Sequence, residues 1–358
     1  MKQPIQLDQY RQLIDKEIET YSAQLLADVA KTYGPHSQAA TQAFTSILAR
    51  GGKRLRGALV IAAYQMLGGS DLAMATKVAR IVEMVQAYLL MTDDIADRSD
   101  VRRGGPSAHR YMENYHGQEG FRGDAGHFGV SIAMMSALAN IHQAELDLDE
   151  LQLPDDVKLK LLKSLHLNLI HTLHGQIQDI FIEAVPSPTE ADVMQVIKFK
   201  TAYYTLINPL EIGALLAGAE STDIQLLQEY GLKAGVAFQL ADDVLGVFGE
   251  ADQSGKSPLD DIKEGKATLL AVRALAKASP AGQQQLRHCL GNPNLTMDDL
   301  QQCRDIMTES GALAYVKQMA ADHVKDALND LDRAPKHWNA EQVNFLRELT
   351  VYVADRQA

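Results

Sequence analysis

Apolar residues recur along this chain at steps of three and four. Val78, Ile81, Val82, Val85 and Leu89 form one such stripe, and Leu227, Tyr230, Ala234, Phe238, Ala241 and Leu245 form another. Leu159, Leu162, Leu165, Leu169 and Leu173 make a third. That period places each set on one face of an α-helix, whereas the alternating period of a half-buried strand is scarce. The 11 prolines punctuate these stretches rather than interrupt them. No solenoid-period repeat and no low-complexity linker divides the chain. The expectation is a single all-α domain over residues 1–358, built from about ten or more helices. Two glycine-rich or polar stretches, 117–129 and 249–265, read as loops.

Charge narrows the function. Lys+Arg number 34 against Asp+Glu 46, a formal net charge of -12. A nucleic-acid partner or an anionic lipid surface calls for the opposite balance. Cys289 and Cys303 are the only cysteines, too few for a disulfide framework or an all-cysteine zinc site, and they fit a reducing compartment. The N-terminal residues lack the apolar run of a signal peptide. The longest apolar run, Ala58 to Tyr64, falls far short of the ~18 residues of a membrane span. A cytoplasmic protein without a transmembrane segment is expected.

Chemistry enters with the aspartates. Five Asp-Asp pairs occur, and most read as solvated surface or helix starts. Two differ. Asp93 continues the stripe of Leu89, with Asp97 four residues on, and Asp242 lies four past Phe238. Carboxylates on a core-facing stripe persist only where they meet cations or a wet cavity, since burying an unpaired charge costs several kcal/mol. Two such clusters suggest facing carboxylate walls with a metal between them, and oxygen-only donors favour Mg²⁺. Cations beside small residues complete the pattern: Lys53-Arg54-Leu55-Arg56 after Gly51-Gly52, Arg102-Arg103 before Gly104-Gly105, then Lys200, Lys256 and Lys266. Together they describe a diphosphate site in which aspartates hold Mg²⁺ and Lys and Arg take the remaining oxygens. The segment from Gly249 to Ser257 has one residue too many for a P-loop and follows a helix rather than a strand.

With these motifs the chain resembles the trans-polyprenyl diphosphate synthases. The matching segments are GGKRLRG (51–57), DDIADRSDVRRG (93–104), His109, HGQIQD (174–179), KTAYYT (200–205), FQLADD (238–243), GKS (255–257) and EGK (264–266), in the family's order over about three-fifths of the chain. The resemblance implies around ten core helices about a central cavity, a homodimer, and condensation of isopentenyl diphosphate with an allylic diphosphate. It implies up to three Mg²⁺ per site, held by Asp93, Asp94 and Asp97 and by Asp242 and Asp243, with Asp179 in support. Arg102, Lys200 and Lys266 would contact the allylic diphosphate, with Lys256 nearby. Lys53, Arg56 and Arg103 would hold isopentenyl diphosphate, with Gln86 in place of a frequent histidine. Lys200 (through its carbonyl), Thr201 and Gln239 would face the carbocation. Tyr88, five residues before the first aspartate, and Leu89 beside it would limit chain length, which points to a C15–C20 product, geranylgeranyl or farnesyl diphosphate. Three departures stand out: Gly246 in place of a third aspartate, Gly57 in place of a proline, and Thr92 in place of a histidine.

Other classes fit less well. A class I terpene cyclase would use Asp242, Asp243 and Glu250, but needs Ser or Thr where Gly246 stands and has no use for GGKRLRG. A medium- or long-chain synthase shares the motifs and differs only in the cavity floor. A di-iron bundle needs Glu-x-x-His on two helices, and only Glu113 with His116 offers it. A non-catalytic subunit would typically have lost the aspartates that this chain keeps.

Overall fold

The computed structural model describes residues 3–249 and 259–354. In chain order the helices are α1 (Ile5–Tyr33), α2 (Pro35–Ala49), α3 (Leu55–Met66), α4 (Leu72–Ala96), α5 (Ala108–Gln118), α6 (Ala125–Asp149), α7 (Asp155–Ala184) and α8 (Glu190–Val196). A π-helix (Ile197–Ile207) follows, then α9 (Asn208–Leu216), α10 (Ser221–Phe248), α11 (Asp260–Glu264), α12 (Leu269–Lys277), α13 (Pro280–Cys289), α14 (Met297–Glu309), α15 (Ala312–Asp332) and α16 (Ala340–Ala354). The strands among the described residues are β1 (Val101–Arg102) and β2 (Gly105–Pro106), an antiparallel pair. The all-α expectation therefore holds. The loop expected over 117–129 is shorter, because α5 runs to Gln118 and α6 starts at Ala125.

The helices sort into two compact units. One comprises Ile5–Tyr64 and Gly69–Leu162; the other runs from Lys163 onward and includes Gln65–Gly68. In the first, α4 is the central helix. Its stripe residues Val78, Ile81, Val82 and Val85 are all buried, and it packs on α6, α1 and α2. A buried ion pair fixes the register. Arg80 of α4 donates to Asp147 of α6 at 2.5 Å, and its guanidinium lies 3.7 Å from the centre of the Tyr21 ring on α1. Removing one partner would strand a buried charge, which costs about 3–5 kcal/mol.

In the second unit α10 is the core helix, packed on the π-helix and on α15. Its stripe residues Leu227, Tyr230, Ala234 and Ala241 are buried. The Tyr230 hydroxyl donates to the Leu346 carbonyl of α16 at 3.2 Å. The buried Asp223 at the start of α10 accepts the Trp338 indole N–H at 2.8 Å.

The π-helix owes its place to two glycines. A Cβ on Gly175 of α7 would come 2.4 Å from the Lys200 nitrogen, and one on Gly235 of α10 would come 2.7 Å from the Ala202 Cα. Only hydrogen side chains let both helices close on that backbone. Widened i→i+5 turns are rare and cluster at functional sites; here the Asn208 N–H reaches back to the Tyr203 carbonyl.

The third sequence stripe needs correction. Leu165 and Leu169 are buried, but Leu159 is 68% exposed and Leu173 is 37% exposed. The buried face of α7 runs through Leu161, Leu165, Asn168, Leu169 and Thr172. A second apolar face carries Leu167, Ile170, Ile177, Ile180 and Phe181, all exposed. A helix apolar on both sides spreads its leucines past any single stripe. No helix among the described residues is long and apolar enough to cross a membrane.

Gly175→Ala and Gly235→Ala are each expected to lower stability by about 1–3 kcal/mol through overpacking against backbone. Gly117→Ala, where an added Cβ meets nothing within 4 Å, serves as the control and is expected to hold or raise the urea midpoint. Equal midpoints for all three variants would contradict the close-approach argument.

Candidate active site

In the first unit the site gathers at the end of α4. Asp94 is completely buried, and Asp93 and Asp97 beside it are half-buried. Arg102 on β1 answers them: its Nε donates to Asp94 Oδ1 at 2.6 Å and its Nη2 to Asp93 Oδ2 at 3.4 Å. Burial disfavours the Arg102 charge, but the hydrogen bond and charge of Asp94, with Asp93 and Asp97 behind it, outweigh burial and raise its pKa.

The hairpin is itself held. Arg50, at the end of α2, donates to the Arg102 carbonyl at 3.0 Å and to the Pro106 carbonyl at 2.7 Å. Gly105 leaves room for that grip, since a Cβ would sit 2.1 Å from Arg50 Nη1 and push the guanidinium aside. Arg103, with φ +52°, turns the opposite way from Arg102. Its guanidinium lies 3.3 Å from where a Cβ of Gly52 would be, and it donates to the Ile47 carbonyl at 3.2 Å. The structure thus brings Arg103 beside the turn that leads into Lys53. Lys53 and Arg56 are half-buried, whereas Arg54 between them is only 3% exposed.

Upstream on α4, Gln86 and Tyr88 are buried and Leu89 is half-buried. Burial, and secondarily the Glu145 carboxylate, raise the Tyr88 phenol pKa. Thr92, in the histidine position, spends its hydroxyl on the Leu89 carbonyl at 2.9 Å. His109 at the start of α5 is buried, with its Nδ1 3.2 Å from the Ser107 hydroxyl.

In the second unit the same charge logic recurs. Asp179 of α7 accepts Lys200 Nζ at 2.5 Å. Thr201 donates to Gln239 Oε1 at 2.8 Å, and Gln239 Nε2 donates to Asp243 Oδ1 at 2.6 Å. The three expected carbocation-facing residues therefore sit together, two of them on the π-helix. Asp242 is exposed and Asp243 buried. Burial, then the charges of Asp242 and Asp261, push the Asp243 carboxyl up to about 8 against the opposing Gln239 hydrogen bond and Lys266 charge. Lys266 meets Glu264 at 2.9 Å and Asp261 at 3.6 Å. Lys256 and Glu250 lie outside the described residues.

Asp261 lies beside the position of the missing third aspartate. A Cβ on Gly246 would lie 2.0 Å from Asp261 Oδ2, so the Asp261 carboxylate occupies the space that a side chain at 246 would fill. Sequence reasoning passed over Asp261 as part of one of the three ordinary pairs; its visible signal was the EGK segment three residues later. It also passed over Arg50 and Glu83. Glu83 had a signal of its own, a charge inside Ile81-Val82-Glu83-Met84-Val85.

A divalent cation fits this donor set. Asp242, Asp243 and Asp261 crowd negative charge where a buried carboxyl resists ionising, and a cation relieves that cost. Among the described residues no three His, Cys, Asp or Glu side chains converge tightly enough to hold an ion unaided. Mg²⁺ commonly takes one or two carboxylates and completes its shell with phosphate oxygens and water.

Comparison with known proteins agrees with the motif reading. The family model of polyprenyl synthetase matches residues 37–307. A geranylfarnesyl diphosphate synthase of Aeropyrum pernix is 32% identical over 87% of this chain and 92% of its own. A geranylgeranyl diphosphate synthase of Sulfolobus acidocaldarius is 26% identical over 96% of this chain and 97% of its own. The crystal structure of a geranylgeranyl pyrophosphate synthase from Corynebacterium glutamicum, complexed with isoprenyl diphosphate and magnesium, superposes with a TM-score of 0.92. It is 30% identical, and the match covers 98% of this chain and 99% of that one.

The Asp243 shift makes a prediction. Its folded pKa, about 8, lies above the unfolded value of about 3.9. Between those limits the folded state keeps a proton that the unfolded chain releases, so stability falls as pH rises toward 8. Urea midpoints in EDTA are expected to fall more steeply from pH 5 to 8 for the native protein than for Asp243→Asn. Parallel curves would contradict the shift.

Proposed function

This chain belongs to the polyprenyl synthetase family, and from that premise we propose that it is a short-chain trans-prenyltransferase acting on isopentenyl diphosphate and allylic diphosphates. The observation that carries the reading is the pairing of three candidate phosphate-binding cations with carboxylates in or beside the candidate metal set: Arg102 with Asp93 and Asp94, Lys200 with Asp179, and Lys266 with Asp261, whose charge is felt at Asp243. A metal–diphosphate ligand supplies a new partner to each half of such a pair, so both substrate and metal residues are released for binding together. Attraction between unit charges near 4 Å is worth about 4 kcal/mol at an effective dielectric of 20.

In this reading Mg²⁺, up to three ions per site, supplies positive charge that stabilises the departing diphosphate. Asp93, Asp94, Asp97, Asp242, Asp243 and Asp179 hold those ions. Arg102, Lys200, Lys266 and Lys256 take the allylic phosphate oxygens. Lys53, Arg56, Arg103 and Gln86 seat isopentenyl diphosphate with its alkene toward the allylic carbon. The allylic C–O bond breaks, and the electron pair leaves with the diphosphate. The alkene forms the new C–C bond, and a proton passes to the released diphosphate. The Lys200 carbonyl, the Thr201 hydroxyl and the Gln239 amide present partial negative charge to the carbocation, a preorganised arrangement that favours the transition state.

We assign a C15–C20 product, geranylgeranyl or farnesyl diphosphate. Tyr88 supports this: a buried ring about 7–8 Å along α4 from Asp93, close to the charge of Glu145, is poorly suited to a longer chain. We assign a homodimer as well, formed through the exposed apolar faces of α6 (Met134, Met135, Leu138) and α7 (Leu167, Ile170, Ile177). In this reading residues 1–358 are a single polyprenyl synthase domain, resident in the cytoplasm.

The test is turnover with Mg²⁺, isopentenyl diphosphate and C5, C10 or C15 allylic primers, with products sized by chromatography. Products ending at C15 or C20 are expected. Asp93→Ala and Asp243→Ala are each expected to lose at least 100-fold in rate. Tyr88→Ala is expected to lengthen the product; an unchanged length would place the floor elsewhere. Release of diphosphate from the primer without condensation would overturn the prenyltransferase reading in favour of a cyclase.

A further inference from the structure

Glu83 is only 3% exposed and sits among Ile81, Val82, Met84 and Val85 on α4. Its two oxygens are divided between two groups of the 51–57 segment. Oε1 accepts the backbone N–H of Gly57 at 3.0 Å, and Oε2 accepts Arg54 Nη1 at 3.3 Å. Arg54 is equally buried and holds φ +51°. Its Nε also donates to Asp15 of α1 at 2.7 Å, and its Nη2 to the Leu48 carbonyl of α2 at 2.7 Å. The centre of the segment is thereby tied to α1, α2 and α4 at once.

Three consequences follow. First, Arg54 turned inward leaves Lys53 and Arg56, its half-buried neighbours, to present their charges elsewhere. Second, the Arg54 carbonyl accepts the Ala58 N–H at 2.9 Å, so Arg54 opens α3. The Gly57 N–H is then one of the first-turn donors that a helix cannot satisfy internally, and the Glu83 carboxylate satisfies it at the positive end of the helix dipole. Third, Gln86 lies one helical turn beyond Glu83 on the same face of α4. The carboxylate therefore sets the 51–57 segment at a fixed offset from Gln86.

Gly57 becomes intelligible in the same terms. Proline has no N–H to give Glu83, and a Cβ at 57 would come 2.8 Å from Ile14 Cδ1. Glycine and Glu83 form a matched pair in this chain.

We propose that Glu83, acting through Arg54 and the Gly57 N–H, is the positioning residue for the cationic loop that seats isopentenyl diphosphate. This rests on the assignment of Lys53, Arg56 and Gln86 to that substrate. Glu83 does not touch substrate. Its buried charge, costly in an apolar layer, holds the phosphate-binding side chains in register, and small displacements of positioned groups carry large kinetic costs.

The test is steady-state kinetics on Glu83→Gln, Gly57→Pro and Gly57→Ala, with the urea midpoint measured for each. Glu83→Gln keeps the shape and removes the charge; Gly57→Pro removes the N–H; Gly57→Ala keeps the N–H. Glu83→Gln and Gly57→Pro are expected to raise the KM for isopentenyl diphosphate at least tenfold, with the allylic KM within about twofold of native. Gly57→Ala is expected to raise it less than either. An unchanged isopentenyl diphosphate KM in Glu83→Gln would overturn the proposal. So would a uniform rise in both KM values in step with a fall in the urea midpoint, the mark of a merely structural role. Native protein that fails to condense at all would instead overturn the functional reading on which the proposal rests.

Discussion

Carboxylates placed at or below the protein surface must be compensated, and in this chain the compensation is supplied by the cations that a diphosphate would claim. Asp94 is completely buried, and Arg102 lies against it and donates to its carboxylate. Asp179 has Lys200, and Asp261 has Lys266. A fold that buried these aspartates alone would be destabilised by several kcal/mol for each. Pairing offsets that cost in the ligand-free protein, and under the proposed function the paired charges would exchange partners when an anion and a divalent cation arrive together. Asp243 shows the limit of the arrangement. Its nearest donor is the neutral amide of Gln239, and burial beside two other carboxylates pushes its carboxyl up to about 8.

The surrounding backbone holds these pairs in place. Arg50 grips the hairpin carbonyls on either side of Gly105, so Arg102 meets the end of α4 while Arg103 turns to Gly52. In the other unit Gly175 and Gly235 let two helices close on the π-helix from which Lys200 and Thr201 project. Each device is a close approach, against backbone at Gly175 and Gly235 and against an arginine side chain at Gly105 and Gly52. Gly105, Gly175 and Gly235 act through the space they leave, whereas Gly52, Arg103 and Gly104 also draw on positive-φ backbone.

Much of this was legible in the residues. The period of Val78 through Leu89 revealed α4 and the core face from which Asp93 follows, and the stripe from Leu227 to Leu245 revealed α10. What escaped had a common cause: it depended on contacts between residues far apart in the chain. The π-helix follows from two distant glycines, and no local pattern announces i→i+5 bonding. Gly246 looked like a lost ligand until the Asp261 carboxylate proved to fill its space. Gly57 looked like an arbitrary departure until its N–H proved to serve Glu83. The leucines of α7 misled for another reason. That helix is apolar on two faces, and a pattern of steps of three and four cannot say which of them is turned inward.

The central claim is that metal and diphosphate residues are mutually occupied until both ligands are present, so binding of the two must be coupled. Calorimetric titration of the full chain with Mg²⁺, with and without inorganic pyrophosphate, measures that coupling directly. The predicted result is weak binding of either alone and at least a tenfold gain in Mg²⁺ affinity when pyrophosphate is present, about 1.4 kcal/mol of coupling, after subtraction of Mg²⁺–pyrophosphate association in buffer. Equal Mg²⁺ affinity with and without pyrophosphate would contradict the account.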